Sequence, residues 1–363
     1  MTAADRPKRY HRQKLLLALT GTALGWGYLL LLVLTPASAR LVEITAYSPN
    51  PYLHFLLFGL ALGLIAQVYA LPLSLTSGYW LEHKYSLSNQ TIAAWGWERL
   101  KGSLVGAVIG LPLALVFYYC LRAFGAGWWL PVGVVLFLFS IVLGRLAPVL
   151  IFPLFYKFEP LDDGHSLSGR IRELARSVGL QVQGVFRFNL SKTTKKANAA
   201  FTGLGRSKRV LLADTLLDNF TDEEILAVVA HELGHFRLRH IWKGLAEGTA
   251  ITFAGLFIVA RLHAGLSGGD VTALAALPWL GLLLGVYGFV TGPISNYISR
   301  RREFAADYFA ARLMGGGASL AAGLERLADL NLADRDPHPA VEFLFHGHPS
   351  IEKRVRRLGI KNR

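Results

Sequence analysis

The sequence predicts a mainly α-helical, polytopic membrane protein, with about six transmembrane helices and a small α/β insert between the fourth and the fifth. Two observations on composition predict the membrane class: 53% of the 363 residues are hydrophobic and only 17% are charged. A soluble protein of this length carries more charged residues on its surface. The third observation is that the apolar residues form six runs. Five of them have 19 to 28 residues, enough to cross a bilayer, and the fifth run, of 15 residues, is expected to continue the helix that precedes it.

The six predicted spans are residues 15–34, 52–76, 103–121, 128–155, 245–259 and 274–298. An even number of spans puts both termini on the same side. Most lysine and arginine residues lie in the termini, the loop after the second span and the long segment before the fifth. The positive-inside rule therefore predicts that these parts are cytoplasmic, in either a bacterial inner membrane or an endoplasmic reticulum membrane.

These spans divide the chain into four predicted regions. They are an N-terminal membrane region with four spans (1–155), a cytoplasmic insert (156–244), a two-span hairpin (245–298) and cytoplasmic C-terminal helices (299–363).

The net charge of +14 does not by itself indicate a nucleic-acid partner, because basic loops are usual in membrane proteins. We find no nucleic-acid-binding motif, and expect the lipid bilayer to be the partner of the apolar helices. Cys120 is the single cysteine of the chain. An intramolecular disulfide and a cysteine-based zinc site are therefore excluded.

The insert reads as one helix followed by short strands. Residues 167–178 have apolar side chains at helical spacing, and Gly179 suits the end of that helix. Residues 182–188 alternate as in a strand, and residues 199–204 and 210–213 predict two further strands. The insert should therefore hold a small sheet beside a helix.

The next helix carries a His-Glu-x-x-His motif. Thr221 and Glu224 form a predicted capping box at its start. His231 and His235 are four residues apart, so both imidazoles lie on one helix face and can bind one Zn²⁺. Glu232 lies beside them, where a carboxylate can act on a water molecule. The order of a helix, a small sheet and then this motif is zincin-like. Zinc peptidases use this arrangement because a sheet edge can hold an extended peptide near the metal.

A catalytic zinc needs a third protein ligand and an open position. Glu303 and Asp307 follow the sixth span on the same side of the membrane, four residues apart. Glu303 could complete a His₂Glu site, with Asp307 accepting a hydrogen bond from a ligand histidine. The alternative is that both acids balance the three arginines before them, and the spacing alone leaves both interpretations open.

Near the C-terminus, His348 precedes Pro349 and Ser350, which suit the first turn of a final basic helix that includes Arg354. His348 or Arg354 could stabilise the oxyanion of a tetrahedral intermediate. On their own, a His-Pro pair and an arginine in a basic helix are more often surface residues. His240 follows the motif helix without an acid at ligand spacing, and we assign it no role from the sequence.

Together these motifs resemble the integral-membrane zinc metalloproteases of the type I CAAX prenyl protease family. The resemblance runs from about the second span to the C-terminus, and several ordered motifs make it specific. They are His231–His235, Asn198–Gly203, Arg209–Leu217, Glu303–Asp307, His348–Ser350 with Arg354, and Glu82–Tyr85 with Asn89–Thr91.

The resemblance implies a role for each matching residue of the motif helix and its partners. His231, His235 and Glu303 look like the ligands of one zinc ion per chain. Glu232 looks like the general base and proton shuttle. Asp307 is similar to the acid that orients a ligand histidine in the family.

The resemblance also implies how the substrate is held. His348 and Arg354 resemble the family's substrate and oxyanion contacts. Asn198 and Ala199 fall on what looks like its substrate-binding edge strand. The family fold is a ring of membrane helices around a chamber, with the metal at its cytoplasmic end. This chain has six predicted spans where eukaryotic members have seven, a departure that affects the chamber and not the metal motifs.

The resemblance implies a membrane zinc metalloendopeptidase that removes the C-terminal tripeptide from prenylated proteins. Two alternatives stay open at the level of the sequence. The first is a quality-control protease that cleaves membrane proteins without requiring prenylation. The second is a non-catalytic membrane protein with a structural or transport-related metal site, which an intact Glu232 disfavours.

Overall fold

The computed structural model describes residues 5–162, 166–202 and 208–359. It is mostly helical with one small sheet, and it holds six helices long and apolar enough to cross a membrane within these ranges. The predicted fold class and number of spans are confirmed. The six helices are Asp5–Leu34, Pro51–Lys84, Ile92–Gly127, Trp129–Phe155, His240–Leu266 and Leu274–Leu313.

The α-helices of the first half belong almost entirely to the membrane region. They are α1 (Asp5–Leu34), α2 (Ala37–Ile44), α3 (Pro51–Leu75), α4 (Leu81–Lys84), α5 (Ile92–Phe124), α6 (Trp129–Leu146) and α7 (Phe152–Phe155). The second half begins with the insert. Its α-helices are α8 (Ser166–Ser177), α9 (Asp214–Asn219), α10 (Asp222–Arg237), α11 (His240–Leu266), α12 (Leu277–Leu313), α13 (Ala318–Leu330), α14 (Pro339–Phe345) and α15 (Ile351–Arg357).

Two membrane helices contain a wide turn close to a proline. The segment Thr76–Trp80 between α3 and α4 is π-helical and follows Pro72 by one turn. The segment Ala147–Ile151 between α6 and α7 is also π-helical and contains Pro148. Proline removes a backbone donor and forces such local adjustments.

The insert contains a four-stranded sheet in the order β1 (Phe158–Pro160), β2 (Gly184–Phe188), β4 (Arg209–Ala213) and β3 (Ala199–Thr202). Strands β2 and β4 are parallel, and β3 pairs with β4 antiparallel and forms one edge. The three predicted strands are confirmed, although β2 begins two residues later and β4 one residue earlier than predicted. The predicted continuation of β3 over 203–204 lies outside the described residues. The short strand β1 is not predicted from the sequence.

A separate hydrophobic core holds the insert together. Ile171 of α8, Leu212 of β4, Leu216 of α9 and Leu233 of α10 are all fully buried in it. Each such side chain contributes about 1.5–3 kcal/mol by leaving water. The core therefore fixes α10 against the sheet.

The motif helix does not continue into the fifth span, contrary to the sequence interpretation. Helix α10 ends at Arg237, and α11 begins at His240. Arg239 between them has φ 58°, in the left-handed region that L-residues rarely adopt. Arg239 therefore interrupts the pattern of backbone hydrogen bonds between α10 and α11 and changes the direction of the chain.

Helix α12 contacts α1, α10 and α11, and so joins the membrane region to the insert. The membrane helices themselves bury few side chains against each other. In the most apolar window of each span, between 0% and 28% of the residues are buried. A close-packed bundle would bury the inner face of every helix, so this low fraction fits helices arranged around an open interior.

Candidate active site

The two motif histidines lie on one face of α10, whose start is fixed as the sequence predicts. Thr221 accepts a hydrogen bond from the Glu224 backbone N–H, and the Glu224 side chain accepts one from the Thr221 backbone N–H. The resulting capping box satisfies two end donors of the helix. Two turns later, the Nε2 atoms of His231 and His235 are 3.1 Å apart.

Helix α12 brings Glu303 to the same point. Its Oε2 lies 3.4 Å from His231 Nε2, and its Oε1 lies 3.2 Å from His235 Nε2. Gly234 allows this close approach, because a Cβ there would be 3.3 Å from the backbone of Ala306. The two helices can therefore meet without a side chain between their backbones.

These three residues fit one metal ion. Ligand atoms 2.0–2.1 Å from a tetrahedral centre are about 3.3 Å apart. The two Nε2 atoms are 3.1 Å apart, and the two carboxylate oxygens of Glu303 lie 3.2 Å from His235 and 3.4 Å from His231, one oxygen facing each histidine. Oε2 of Glu303 is buried and accepts no hydrogen bond among the described residues. A buried carboxylate oxygen without a donor is costly unless a cation neutralises it, so the donor set is suited to a metal.

The second ring nitrogen of His231, which faces away from Glu303, contacts an acid on α12. Its Nδ1 lies 2.9 Å from Oδ1 of Asp307, which is one helical turn beyond Glu303 on α12. Arg354 of α15 donates to both carboxylate oxygens of Asp307, from Nε at 2.8 Å and from Nη2 at 2.6 Å. All three side chains are buried. This arrangement fixes the orientation of the His231 ring.

Burial and nearby charges change the proton affinity of both motif side chains. Burial lowers the pKa of His231, but the nearby carboxylates of Asp307 and Glu303 outweigh burial and raise that pKa to about 9. Burial raises the pKa of the Glu232 carboxyl, and the two motif histidines only partly offset this effect. A carboxylate with a raised pKa is a stronger base, which suits proton transfer near neutral pH.

Glu232 and Glu303 line two cavities, one with His231 and the other with His235. The larger cavity has a volume of about 510 Å³, and its lining also includes Asn198, Ala199 and Arg354. The smaller cavity has a volume of about 320 Å³. An extended chain can thus pass the three-ligand cluster in a cleft that continues on both sides.

Ala199 begins the edge strand β3, and the carbonyl of Asn198 just before it accepts a hydrogen bond from the Ala213 N–H at 3.0 Å. Among the described strands, β3 pairs only with β4, so its other edge can accept an added strand. Asn198 and Ala199 also line the larger cavity together with His231, Glu232 and Glu303, so the structure brings both residues beside the metal-ligand candidates.

His348 lies at the mouth of the cleft. Its side chain is 71% exposed, and its Nε2 is 3.5 Å from Oε1 of Glu303, which is too long for a hydrogen bond. The position of His348 depends on Arg300, one turn before Glu303 on α12. The buried Arg300 guanidinium donates to the carbonyls of Glu342 at 2.9 Å and His346 at 2.6 Å, and so holds the end of α14 and the loop that follows.

The segment before the edge strand rests on the membrane helices through Glu82 of α4. This buried carboxylate accepts a hydrogen bond from Tyr10 of α1 at 2.6 Å. Glu82 also forms ion pairs with Lys14 at 2.5 Å and with Lys196 at 2.9 Å. The sequence match of Glu82 to the family loop pointed to this region, but not to the contact with Lys196.

Two residues near the site have contacts that the sequence interpretation missed. His240 is buried, and its Nδ1 lies 3.1 Å from Nδ1 of His235. Arg300 was treated only as one of three arginines balanced by acids, although it is buried and holds backbone carbonyls. For His240, the only sequence signal was its position directly after the motif helix. No sequence signal separated Arg300 from its two exposed or half-buried neighbours.

Comparison with known families gives two matches that together span nearly the whole chain. Residues 163–360 match the model of peptidase family M48. Residues 2–157 match the N-terminal model of CAAX prenyl proteases, described as five membrane helices. The described part of this region contains four helices long enough to cross a membrane, in agreement with the smaller number of spans predicted from the sequence.

Similar proteins occur in bacteria and in eukaryotes. An uncharacterised metalloprotease of Bacillus subtilis, YhfN, is 31% identical over 96% of this chain and 84% of its own length. A probable CAAX prenyl protease 1 of Schizosaccharomyces pombe is 30% identical over 84% of this chain and 65% of its own length. The crystal structure of S. mikatae Ste24p superposes with a TM-score of 0.81, at 27% identity, over 88% of this chain and 80% of that one.

The family matches cover the same elements that build the candidate site. The motif helix, the edge strand, α12 and α15 all lie within the M48 match, and the first four spans lie within the N-terminal match. The chain therefore belongs to peptidase family M48 and is a multi-pass membrane metalloprotease of the CAAX prenyl protease family.

Proposed function

We propose that this protein is a zinc endopeptidase in which His231, His235 and Glu303 hold a single zinc ion. The observation that carries the proposal is the set of three separations of 3.1–3.4 Å among their ligand atoms, next to the Glu232 carboxylate. Two imidazole nitrogens and one carboxylate are the donor set of catalytic zinc in several peptidases. When bound, the zinc would polarise the scissile carbonyl and activate a water molecule.

Glu232 is the proposed general base. Its carboxylate takes a proton from the attacking water and then delivers it to the nitrogen of the leaving amine. Burial raises its pKa, which strengthens the base and lets it hold the proton between the two steps. A structural metal site has no need for such a group, so Glu232 favours catalysis over the non-catalytic alternative.

Arg354 and His348 are the proposed contacts to the developing oxyanion. Arg354 uses two donors on Asp307, and its Nη1 lies 3.8 Å from Oε2 of Glu303, on the side of the ligand cluster. His348 lies at the mouth of the cleft with an exposed ring that can turn towards a substrate. Both side chains offer N–H donors where negative charge develops.

The proposed substrate is a peptide segment in extended form, bound along β3 at Asn198 and Ala199. Relatives of this chain are named CAAX prenyl proteases, and we propose the same class of substrate here. The scissile bond would follow a prenylated cysteine, so that the C-terminal three residues are released. The membrane helices bury few of their apolar side chains, which leaves apolar surface that a lipid chain could contact.

The test uses the purified, zinc-loaded full chain in detergent. One C-terminal Cys-aliphatic-aliphatic-X peptide is supplied in farnesylated and in unmodified form, and the products are weighed by mass spectrometry. We expect the farnesylated peptide alone to lose three residues. Equal cleavage of both forms, or cleavage elsewhere, would instead indicate a general membrane-protein protease.

The matched blank for this test is Glu232→Gln, which keeps the size of the side chain and removes its basicity. We expect this variant to bind zinc as the parent does and to lose hydrolysis by at least about 100-fold. Retained hydrolysis would exclude Glu232 as the base.

We further propose that both termini and the active site face the cytoplasm. The support is the excess of lysine and arginine in these parts of the chain. Single cysteines introduced near each terminus of a Cys120→Ala variant should react with a membrane-impermeant maleimide only after the cytoplasmic face is opened. Labelling of intact cells or spheroplasts would reverse the proposed orientation.

A further inference from the structure

The two motif histidines differ in what holds their second ring nitrogen. Nδ1 of His231 faces the carboxylate of Asp307 at 2.9 Å. Nδ1 of His235 faces Nδ1 of His240 at 3.1 Å, and the two rings meet edge to face with centroids 5.1 Å apart. A ring nitrogen that binds a metal normally has its other nitrogen held by an acceptor. His240 therefore occupies at His235 the place that an acid occupies at His231.

The backbone brings His240 into this place by an unusual route. His240 is the first residue of α11, and the residue before it, Arg239, has φ 58°. A non-glycine residue in this region persists only where the surrounding structure requires it. His235 and His240 are five residues apart. If α10 and α11 formed one continuous helix, their side chains would point to different faces of it, because only residues three or four apart are neighbours on a helix surface. The left-handed conformation of Arg239 instead turns the chain back towards α10, so that the buried ring of His240 contacts His235.

We propose that His240 is a positioning residue that fixes the orientation and tautomer of His235. This inference rests on the proposed role of His235 as a zinc ligand. His235 donates its Nδ1–H to Nδ1 of His240, which leaves the lone pair of His235 Nε2 directed at the ligand cluster. His240 itself is not a ligand, because its Nδ1 is used by His235 and the three-residue cluster among the described residues excludes it.

Two near-isosteric substitutions separate this role from simple filling of space. In His240→Asn the amide oxygen occupies about the position of Nδ1 and can still accept from His235. In His240→Gln the polar end reaches about the position of Nε2 and cannot accept in the same place. His240→Ala removes the group altogether. The matched control is His263→Ala, because His263 is also buried on α11 and, within the described part of the chain, its ring bonds to the carbonyl of Ala276 and to no other group.

Zinc affinity is measured on the purified full-length variants in detergent, by competition with a chromophoric chelator. We expect His240→Ala and His240→Gln to bind zinc about 10- to 100-fold more weakly than the parent. His240→Asn should keep most of the affinity, and His263→Ala should not change it. The visible absorption of the Co²⁺-substituted protein provides a second readout, which should change in the Ala and Gln variants and stay close to that of the parent in the Asn variant.

The outcomes separate this inference from the proposed function. Weak binding by both His240→Asn and His240→Gln would indicate that the site needs only the shape of the ring, and would overturn the hydrogen-bond role. Parent-like affinity and spectrum in all three variants would also overturn it, while leaving the zinc site in place. A parent protein that binds no zinc would overturn the proposed function together with this inference.

Discussion

Arg354 donates hydrogen bonds to both carboxylate oxygens of Asp307, at 2.8 and 2.6 Å, and the same carboxylate lies 2.9 Å from Nδ1 of His231. Three buried polar groups from α10, α12 and α15 thus depend on each other. The pair is also bidentate, which only the planar guanidinium of arginine can provide. The C-terminal helix is therefore tied to the motif helix through a single carboxylate.

The first prediction concerns this buried pair. Arg354→Ala should lower the stability by about 3–5 kcal/mol, because it leaves the buried charge of Asp307 without its partner. Arg354→Lys should recover only part of the loss, since a lysine cannot bond both oxygens in parallel. The midpoint of thermal unfolding in detergent measures the effect. Arg356→Ala, an exposed residue on the same helix, is the control and should unfold like the parent.

The second prediction concerns pH. The pKa of His231 is raised to about 9, and a metal requires the neutral imidazole. A proton therefore competes with zinc at every pH below this value, and the affinity should fall about tenfold for each unit of acidification. Zinc affinity in buffers between about pH 7 and pH 9 measures this slope.

The control for this slope is Asp307→Asn, which removes a charge that raises the pKa of His231. Its affinity should depend less steeply on pH, although it should be weaker overall. An equal slope in both proteins would mean that a group other than His231 releases the proton.

The third prediction concerns the contact between α10 and α12. A Cβ at Gly234 would lie 3.1 Å from Phe309 and 3.3 Å from the backbone of Ala306. Gly234→Ala should therefore push the helices apart and cost about 1–3 kcal/mol of stability. Zinc affinity should fall as well, because Glu303 lies on the displaced helix.

Gly292→Ala provides the comparison, since a Cβ at this position of α12 would meet nothing within 4 Å. It should leave both the stability and the zinc affinity close to those of the parent. Similar losses in the two variants would show that the close approach at Gly234 is not the cause.

The fourth prediction concerns Arg300. Its guanidinium holds the carbonyls of Glu342 and His346, and so fixes the loop that carries His348. Arg300→Ala should lower kcat by up to about 100-fold through misplacement of that loop. Zinc stoichiometry should stay at one. The exposed neighbour Arg301→Ala is the matched control, and an equal loss of kcat there would exclude a specific role for Arg300.

The sequence predicts those parts of the site that follow from local spacing. His231, Glu232 and His235 are placed by the period of a single helix, and Thr221 with Glu224 marks where that helix starts. The six spans follow from apolar runs alone, although their ends extend into helical segments that the hydropathy pattern does not include. Local rules are enough for these features.

Contacts between distant elements could not be predicted in the same way. The spacing of Glu303 and Asp307 left a solvated helix as an equal alternative, and only the packing of α12 against α10 brings Glu303 to the two histidines. His240 was missed because its contact depends on the left-handed conformation of Arg239, which nothing in the local sequence requires. Arg300 was missed because its partners are backbone carbonyls over 40 residues away.

Helix α12 has one further consequence. It is an uninterrupted helix of 37 residues, about 55 Å long, and it carries Glu303 near one end while its other end lies among the membrane spans. The third proposed ligand therefore reaches the two histidines only after the last span has been inserted and packed. Newly made chains should consequently gain proteolytic activity only once the last span has been inserted.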